Sequence, residues 1–465
     1  MAFVGIALLF LPGLLVVRAP WTAVAPLSLA FWVVSAWWPF AGAGRSHVLA
    51  AALSGSFLLA LLRLLPKHEV SPPPGHLPAP PPPARKRPGR LPPPLRSWPS
   101  LVVLAAALVL LAPVPLWHNA PGARVAFQTT IARLLVWRDG IPASGQPLLP
   151  LEPIGAHAPA VATLVADLSL VSGLDPGRAA PLVLAAAAAL LVVGLFSLHA
   201  TWTSPEAAAV GTLVGLAAAP WPAFLTVWGE GEALVALAFL LPAAALAAGH
   251  SSRSSAVAAG LLLAAGALAQ PALALATALA CAGFGILASP RPRRPARLLA
   301  TFGVALVFAA PGLAPLARAL SVREATSVVH SVRAAEVVWF AFALACASLA
   351  PLAFGEPGRR RAPGRSARAV IALAAALLLG VRVHAWFRAG ELRADARAAL
   401  ALAAERAGPL AAICAGEGER DFVPALFGRR AGEPGVWVPA EYSEEWARRE
   451  TWACDATLNI EMFRR

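Results

Sequence analysis

The chain has 465 residues, of which 58% are hydrophobic and only 13% charged, and its mean hydropathy is +0.68. A water-soluble domain carries about a quarter charged residues, so this composition excludes one and points to a polytopic membrane protein. The formal charge of +14 does not indicate nucleic acid, because the arginines sit in short clusters between apolar runs instead of on one basic face.

A membrane-crossing helix needs about 20 mostly apolar residues, since in lipid every backbone N–H and C=O must be paired within the segment. The first such run, Ala2 to Val17, has no basic residues ahead of it and no small-residue cleavage site before Arg18, so it reads as a span and not as a cleaved leader. Trp21 to Phe40 and Ser46 to Leu65 make the second and third, and residues 1–65 form an N-terminal three-helix segment. From Pro66 to Pro99 the chain is Pro-rich and carries Arg85, Lys86, Arg87, Arg90 and Arg96. Proline at that density prevents helix, and the basic residues place this linker on the cytoplasmic side.

The remaining membrane core, residues 100–389, opens with a span from Ser100 to Trp117 and continues with a long, weakly polar loop from Trp117 to Asp175. Further spans are expected at Ala179 to His199, Pro205 to Trp221, Glu232 to Ala248, Ser255 to Ala269, Pro271 to Ser289, Leu298 to Ala317, Ala334 to Phe354 and Ala367 to Phe387. The total is about twelve, an all-α membrane domain whose positive loops alternate as the positive-inside rule requires. The parity puts the Trp117–Asp175 loop and the C-terminal tail outside. It depends on splitting residues 255–289 at Gln270-Pro271, where proline permits either a turn or one kinked helix.

After the last span, residues 390–465 regain charge. Leu392 to Ala407 reads as an amphipathic helix and Leu410 to Ala415 as a short buried strand, so the tail is a small α/β extracytoplasmic domain. At about 75 residues it needs support from the membrane part or from a disulfide. Cys414 and Cys454 lie in this tail, and both a bridge and two free thiols fit the spacing; Cys281 and Cys346 lie in apolar runs. Trp437, Tyr442 and Trp446 suit stacking on sugar rings and equally suit packing against a membrane surface.

Two stretches carry residues able to do chemistry. In the loop, Ala126, Ile131, Leu134, Leu135 and Trp137 recur at helical spacing with Arg133 and Arg138 off that face, which predicts an interfacial helix ended by Asp139-Gly140-Ile141-Pro142. Glu152 and His157 follow, ahead of an apolar, half-inserted helix from Ala160 to Val171. A carboxylate and an imidazole near a membrane surface can serve as acid and base or as ligands of a divalent metal, or can simply solvate the loop. The second stretch, Trp228-Gly229-Glu230-Gly231-Glu232, sets two carboxylates at the mouth of a span, where they can bind a basic group or complement a helix N-terminus. His199 and His384 fall near span ends, where reaching toward the interface is the ordinary explanation. No span shows the paired ionisable residues that a transport pathway needs.

The succession "ARLLVWRDGIPASGQPLLPLEPIGAHAPAVATLVADLSLVSGLDPGRAA", "APWPAFLTVWGEGEALVALAFLLPAAAL" and "GLLLAAGALAQPALAL", with "LLFLPGLLVV" near the start and "PLAAICAGEGERDFVPALFGRR" in the tail, resembles the multispan glycosyltransferases of the C-type fold. That group includes protein mannosyltransferases and lipid-A-modifying transferases, and in it a His-x-Pro element precedes the helix after the first external loop. His157-Ala158-Pro159 occupies that place. The resemblance implies a bacterial inner-membrane protein that uses a polyprenyl-phosphate sugar donor and a lipid, glycan or protein acceptor outside the membrane. On that reading Glu152, His157 and Glu230 are candidate acid–base residues. Arg124, Arg133 and Arg138 are candidates to hold the donor phosphate, or alternatively to anchor the helix to lipid headgroups. One departure stands out: members of the group place an acid at the start of the first loop, whereas Trp117 to Gln128 contains no Asp or Glu. Asn119 cannot accept a proton at neutral pH and Arg124 has the opposite charge. Either Glu152, Asp139 or Glu230 replaces that acid, or the chain is a silent relative acting as a scaffold in envelope assembly.

Overall fold

The computed structural model describes residues 11–14, 21–37, 44–64, 97–112, 123–142, 144–149, 160–218, 231–249, 253–287, 293–319, 365–389, 391–408, 411–416, 418–432 and 455–460, with the single residues 114, 117 and 119. These are mostly helical. The helices are α1 (Leu11–Leu14), α2 (Trp21–Ser35), α3 (Arg45–Leu64), α4 (Trp98–Leu111), α5 (Ala123–Arg138), α6 (Ala160–Ser172), α7 (Pro176–His199), α8 (Pro205–Ala218), α9 (Gly231–Gly249), α10 (Arg253–Ala269), α11 (Pro271–Leu287), α12 (Arg293–Ala319) and α13 (Arg365–Ala389). A small C-terminal unit follows, with α14 (Ala394–Arg406), β1 (Ala412–Cys414), α15 (Phe422–Phe427), β2 (Arg430–Ala431) and β3 (Asp455–Asn459).

The centre of the bundle is α7, packed against α4, α6, α8 and α9, while α9 continues the layer through α10 to α12. Asp175 starts α7 by accepting a hydrogen bond from the Gly177 N–H at 2.8 Å, and Pro176 occupies the first helical position, where no N–H is needed. With 24 residues, α7 is about 36 Å long, enough to cross a hydrocarbon layer of about 30 Å. Among the described residues, three helical stretches have the length and apolarity to cross a membrane: Pro176–His199, Gly231–Ala248 and Ser366–Ala385. The apolar helices elsewhere are shorter, α6 among them at 13 residues, or about 20 Å.

The outer helices turn large apolar side chains outward. Phe57, Leu58 and Leu59 on α3, Leu275 and Leu279 on α11, Leu299, Leu306 and Val307 on α12, and Val370, Leu377 and Val381 on α13 are each more than half exposed. A water-soluble chain rarely leaves so wide an apolar surface uncovered, and a hydrocarbon surrounding solvates it without cost. Exposed Trp137 and Trp202 mark the two ends of α7, the first at the end where Asp175 lies and the second just past His199. Tryptophan favours the interfaces of a bilayer.

At Gln270 the chain doubles back. The Gln270 N–H still bonds the Gly266 carbonyl, and its own carbonyl accepts from Ala274, so one residue closes α10 and opens α11. Ala259 and Leu263 of α10 then line the same apolar cleft as Thr277, Ala278 and Cys281 of α11, which a single kinked helix would hold far apart. Helix α4 begins at Trp98, two residues before the span expected from Ser100, because Pro99 is suited to a first turn. His199 does not reach outward: it is buried, with Nδ1 sharing a hydrogen bond of 2.8 Å with the Thr212 hydroxyl.

The expected helix and strand of the tail both form, as α14 and β1. Strand β1 is the middle of a three-stranded parallel sheet of order β2-β1-β3, with α15 in the crossover from β1 to β2. The unit leans on the membrane part: α15 packs on α5 and on the start of α7, and Arg430 Nε donates to the Pro147 carbonyl at 2.9 Å. Cys414 is disulfide-bonded. Cys454 lies outside the described residues, yet directly precedes β3, the strand that pairs with β1. Replacing Cys454 by serine is therefore expected to free the Cys414 thiol, so that the unfolded protein shows one more maleimide-polyethylene glycol shift without reductant than wild type, whose Cys281 is already free. One shift fewer than wild type would assign another partner to Cys414.

Candidate functional site

Asn119, Gln128, Arg133, Asp139 and Asp175 of the loop gather at one end of the bundle. Helix α5 forms as expected, but it does not lie with one face in lipid. Val125 to Leu135 are buried all round, and among the described side chains of α5 only Trp137 and Arg138 are exposed. The apolar side packs on α6, and α15 of the C-terminal unit covers what would have been the wet face. The threonines are satisfied within the helix itself, Thr129 donating to the Val125 carbonyl at 2.7 Å and Thr130 to that of Ala126 at 3.0 Å.

Arg133 joins the three parts. Its Nη2 donates to Asp175 Oδ1 at 2.8 Å, to the Ala425 carbonyl at 3.0 Å and to the Leu426 carbonyl at 3.1 Å. A guanidinium held this way ties the loop helix to the first turn of α7 and to the last turn of α15. Arg138, by contrast, is exposed and reaches only the Gln146 carbonyl, at 3.5 Å. Of the candidate phosphate ligands, Arg133 is engaged in the fold and Arg138 stands at the surface. The Arg124 side chain lies outside the described residues, as do Glu152, His157 and Glu230.

The most chemically distinctive pair among the described residues joins α5 to α9. Gln128 Nε2 donates to Glu232 Oε1 in a short hydrogen bond, with both side chains buried. Glu232 sits in the first turn of α9, where the partial positive charge of a helix N-terminus favours a carboxylate. Close packing fixes that turn: a Cβ on Gly231 would lie 2.9 Å from Leu184 Cδ2, 3.2 Å from Val125 Cγ2 and 3.9 Å from Val161 Cγ2. The bond leaves Gln128 Oε1 buried with no partner. Such an orphaned carbonyl is uncommon, because burying an amide oxygen without a donor costs about 1–3 kcal/mol. The sequence marked Glu232 only as half of a carboxylate pair, and no periodicity singles out Gln128.

Asp139, a candidate replacement for the missing acid, has a structural job. Its φ of 52° is left-handed, and its carboxylate caps α3, Oδ1 accepting from the Ser46 N–H and Oδ2 from the Ser46 hydroxyl, each at 2.6 Å. Gly44 makes room for it: a Cβ there would stand 1.9 Å from Asp139 Oδ2. The adjoining Arg45 reaches into the bundle and meets Asp167 of α6 in a two-pronged pair, Nε to Oδ1 at 2.8 Å and Nη2 to Oδ2 at 2.6 Å. Two further N–H groups donate to the Trp32 carbonyl at 2.8 Å and the Ser35 hydroxyl at 3.1 Å. Neither residue was singled out from the sequence.

The same end of the bundle also receives the C-terminal end of α13. His384 stacks on Trp117 and its Nδ1 accepts from Trp117 Nε1 at 3.2 Å, while Asn119 Oδ1 accepts from the Leu392 N–H at 3.2 Å. The start of the loop is thereby fastened to the junction between membrane and C-terminal parts. Among the described residues no group of three or more His, Cys, Asp and Glu is placed to hold a metal ion. No protein-family model matches the chain, and neither the curated proteins nor the solved structures contain a match.

Proposed function

We propose that the chain is a polytopic protein of the bacterial inner membrane, with about twelve spans, that acts as a glycosyltransferase-like enzyme using a polyprenyl-phosphate sugar donor. On this reading the donor's isoprenoid tail stays in lipid, and the sugar is passed to an envelope lipid, glycan or protein at the end of the bundle where the loop and the C-terminal unit lie. That end is extracytoplasmic, and the Pro-rich linker and the arginine clusters of the other loops are cytoplasmic. The observation that carries the reading is the buried Gln128–Glu232 pair beneath α5, which supplies a carboxylate where the first loop lacks an acid of its own. In such a site the carboxylate would take the acceptor's hydroxyl proton, and surface cations such as Arg138 would hold the donor phosphate by charge-assisted hydrogen bonds. Glu152, His157 and Glu230 remain candidates for acid–base work on this reading, and a divalent metal remains a candidate cofactor.

The silent-scaffold alternative draws on a different observation: Arg133 and Asp139, both candidates from the sequence, are engaged in holding the fold. Turnover separates the two readings. Purified protein in lipid nanodiscs, given a panel of short-chain polyprenyl-phosphate sugars with and without divalent metal, should release free polyprenyl phosphate. Glu232→Gln, Glu152→Gln and Glu230→Gln, tested singly, should lower that rate in the variant that removes the base. Donor binding without release would favour the scaffold, and no binding of any donor would remove the transferase reading.

A further inference from the structure

We infer that the cleft shared by α9, α10, α11 and α12 seats one acyl chain of an anionic phospholipid, with the lipid phosphate at the arginine-rich start of α12. The inference rests on the chain being embedded in a membrane and is independent of the transferase reading. The cleft lies far from the polar end of the bundle: Glu232 opens α9 at that end, and Ala247, which lines the cleft, is about 22 Å further along the same helix. Its walls are apolar, with Ala243 of α9, Leu263 of α10, Ala278 of α11 and Phe302 of α12 among them, and the Thr277 hydroxyl is taken up by its own helix, donating to the Leu273 carbonyl at 2.8 Å. Beside the cleft α10 and α12 touch directly, since a Cβ on Gly260 would stand 2.6 Å from Val304 Cγ1 and 2.8 Å from the Thr301 carbonyl. Ala278 and Phe302 are only half-buried, so the cleft is open along one side; counting that side it holds about 260 Å³.

Two observations indicate what fills it. Thr301 lines the cleft and is 5% exposed, and among the described residues its hydroxyl has no hydrogen-bond partner. A buried hydroxyl calls for an acceptor, and a lipid ester carbonyl is one that an otherwise apolar molecule brings with it. The second observation is charge. Arg253 opens α10, Arg293 and Arg294 open α12, and Arg297 adjoins Leu298 of the cleft, yet neither helix has an acidic residue in its first turn. The sequence contains no Asp or Glu between Glu232 and Glu324. The positive ends of the two helices add to these cations, so this end of the cleft favours an anion. A phospholipid supplies both groups. Thr301 is one turn, or about 6 Å, from Arg297 along α12, and the glycerol backbone sets an ester carbonyl at a comparable remove from the phosphate. A polyprenyl phosphate has the phosphate without the ester and leaves Thr301 unserved.

The test is photo-crosslinking of full-length protein in phosphatidylcholine nanodiscs that contain, as a minor component, phosphatidylglycerol or phosphatidylcholine with a diazirine in one acyl chain. Adducts of the phosphatidylglycerol probe should map to cleft residues such as Leu263, Ala278 and Phe302, about fivefold above those of the phosphatidylcholine probe, the gain expected of one cation near an anionic lipid. Thr301→Val, which keeps the shape and removes the hydroxyl, should lower these adducts by about fivefold. Ala278→Phe, which fills the cleft from its open side, should abolish them while adducts on the outer face of α13 persist. Should Ala278→Phe fail to assemble, Thr301→Val carries the comparison. Equal labelling by both probes, or adducts no denser in the cleft than on α13, would overturn the site. So would efficient displacement by a short-chain polyprenyl phosphate, or disulfide crosslinking of Cys281 between two copies in place of lipid adducts. Release of polyprenyl phosphate in the same nanodiscs reports on the transferase reading alone, because the donor is handled at the opposite end of the bundle.

Discussion

Replacing Asp167 by alanine will destabilise the helical bundle by about 3–5 kcal/mol, the largest effect expected of any single substitution here. The reason lies in what remains. Arg45 would stay buried with Nε and one prong of its fork unpaired, in a place where its side chain is 7% exposed and its former partner's only 1%. Transfer of a lone charge to such surroundings is far costlier than the pair itself. The intact pair need not be stabilising compared with apolar side chains of similar volume, so the double variant Arg45→Met with Asp167→Leu should recover most of the loss. Thermal unfolding in nanodiscs reads both. A single Asp167→Ala variant as stable as wild type would mean that Arg45 has another way out of the bundle, and that α3 and α6 are not joined through it.

Arg133→Met will detach the C-terminal unit while leaving the helices assembled. Methionine keeps much of the side-chain volume, but leaves the Ala425 and Leu426 carbonyls without this donor and removes the ion pair with Asp175. Each buried group left unpaired costs about 1–3 kcal/mol, so docking should weaken by about 3 kcal/mol, more than a hundredfold in the docked fraction. Limited proteolysis should then cut beyond Ala389 at least tenfold faster than in wild type. Arg133→Lys should rescue only in part, since an ammonium cannot span the carboxylate and both carbonyls with a planar fork. Unchanged cleavage in Arg133→Met would assign the docking to apolar contacts of α15 with α5 instead.

These two contacts show where sequence reasoning stops. Hydropathy places most of the described bundle helices, and Pro271 with the arginine clusters flanking residues 255–289 points to the break at Gln270, because each is a local property of a run of residues. The composition shift after residue 390 likewise reveals a separate α/β unit, and a small domain's need for support anticipates its docking. The partners themselves are not local. Arg45 and Asp167 are 122 residues apart, and Gln128 and Glu232 are 104 apart, so no spacing rule joins them. Each looks, in sequence, like a lone polar residue inside or at the edge of an apolar run. The burial of α5 is hidden for a related reason: its Arg133 face reads as wet until a distant segment of chain is known to cover it. An unpaired charge inside an apolar stretch is the one signal that was present, since such a charge must find a partner or leave the membrane.

On the proposed reading the bundle is embedded in a membrane, with its polar layer at one end of α7 and that end outside. Single cysteines introduced as Arg138→Cys and Trp202→Cys, in a background with Cys281 and Cys346 replaced by serine, test this most directly with a membrane-impermeant thiol reagent. Both positions are exposed and lie at opposite ends of a helix about 36 Å long. In intact bacterial spheroplasts the cysteine at position 138 should label at once, and the one at 202 only after the membrane is opened. Labelling of both from the same side, or of 202 alone, would contradict the arrangement.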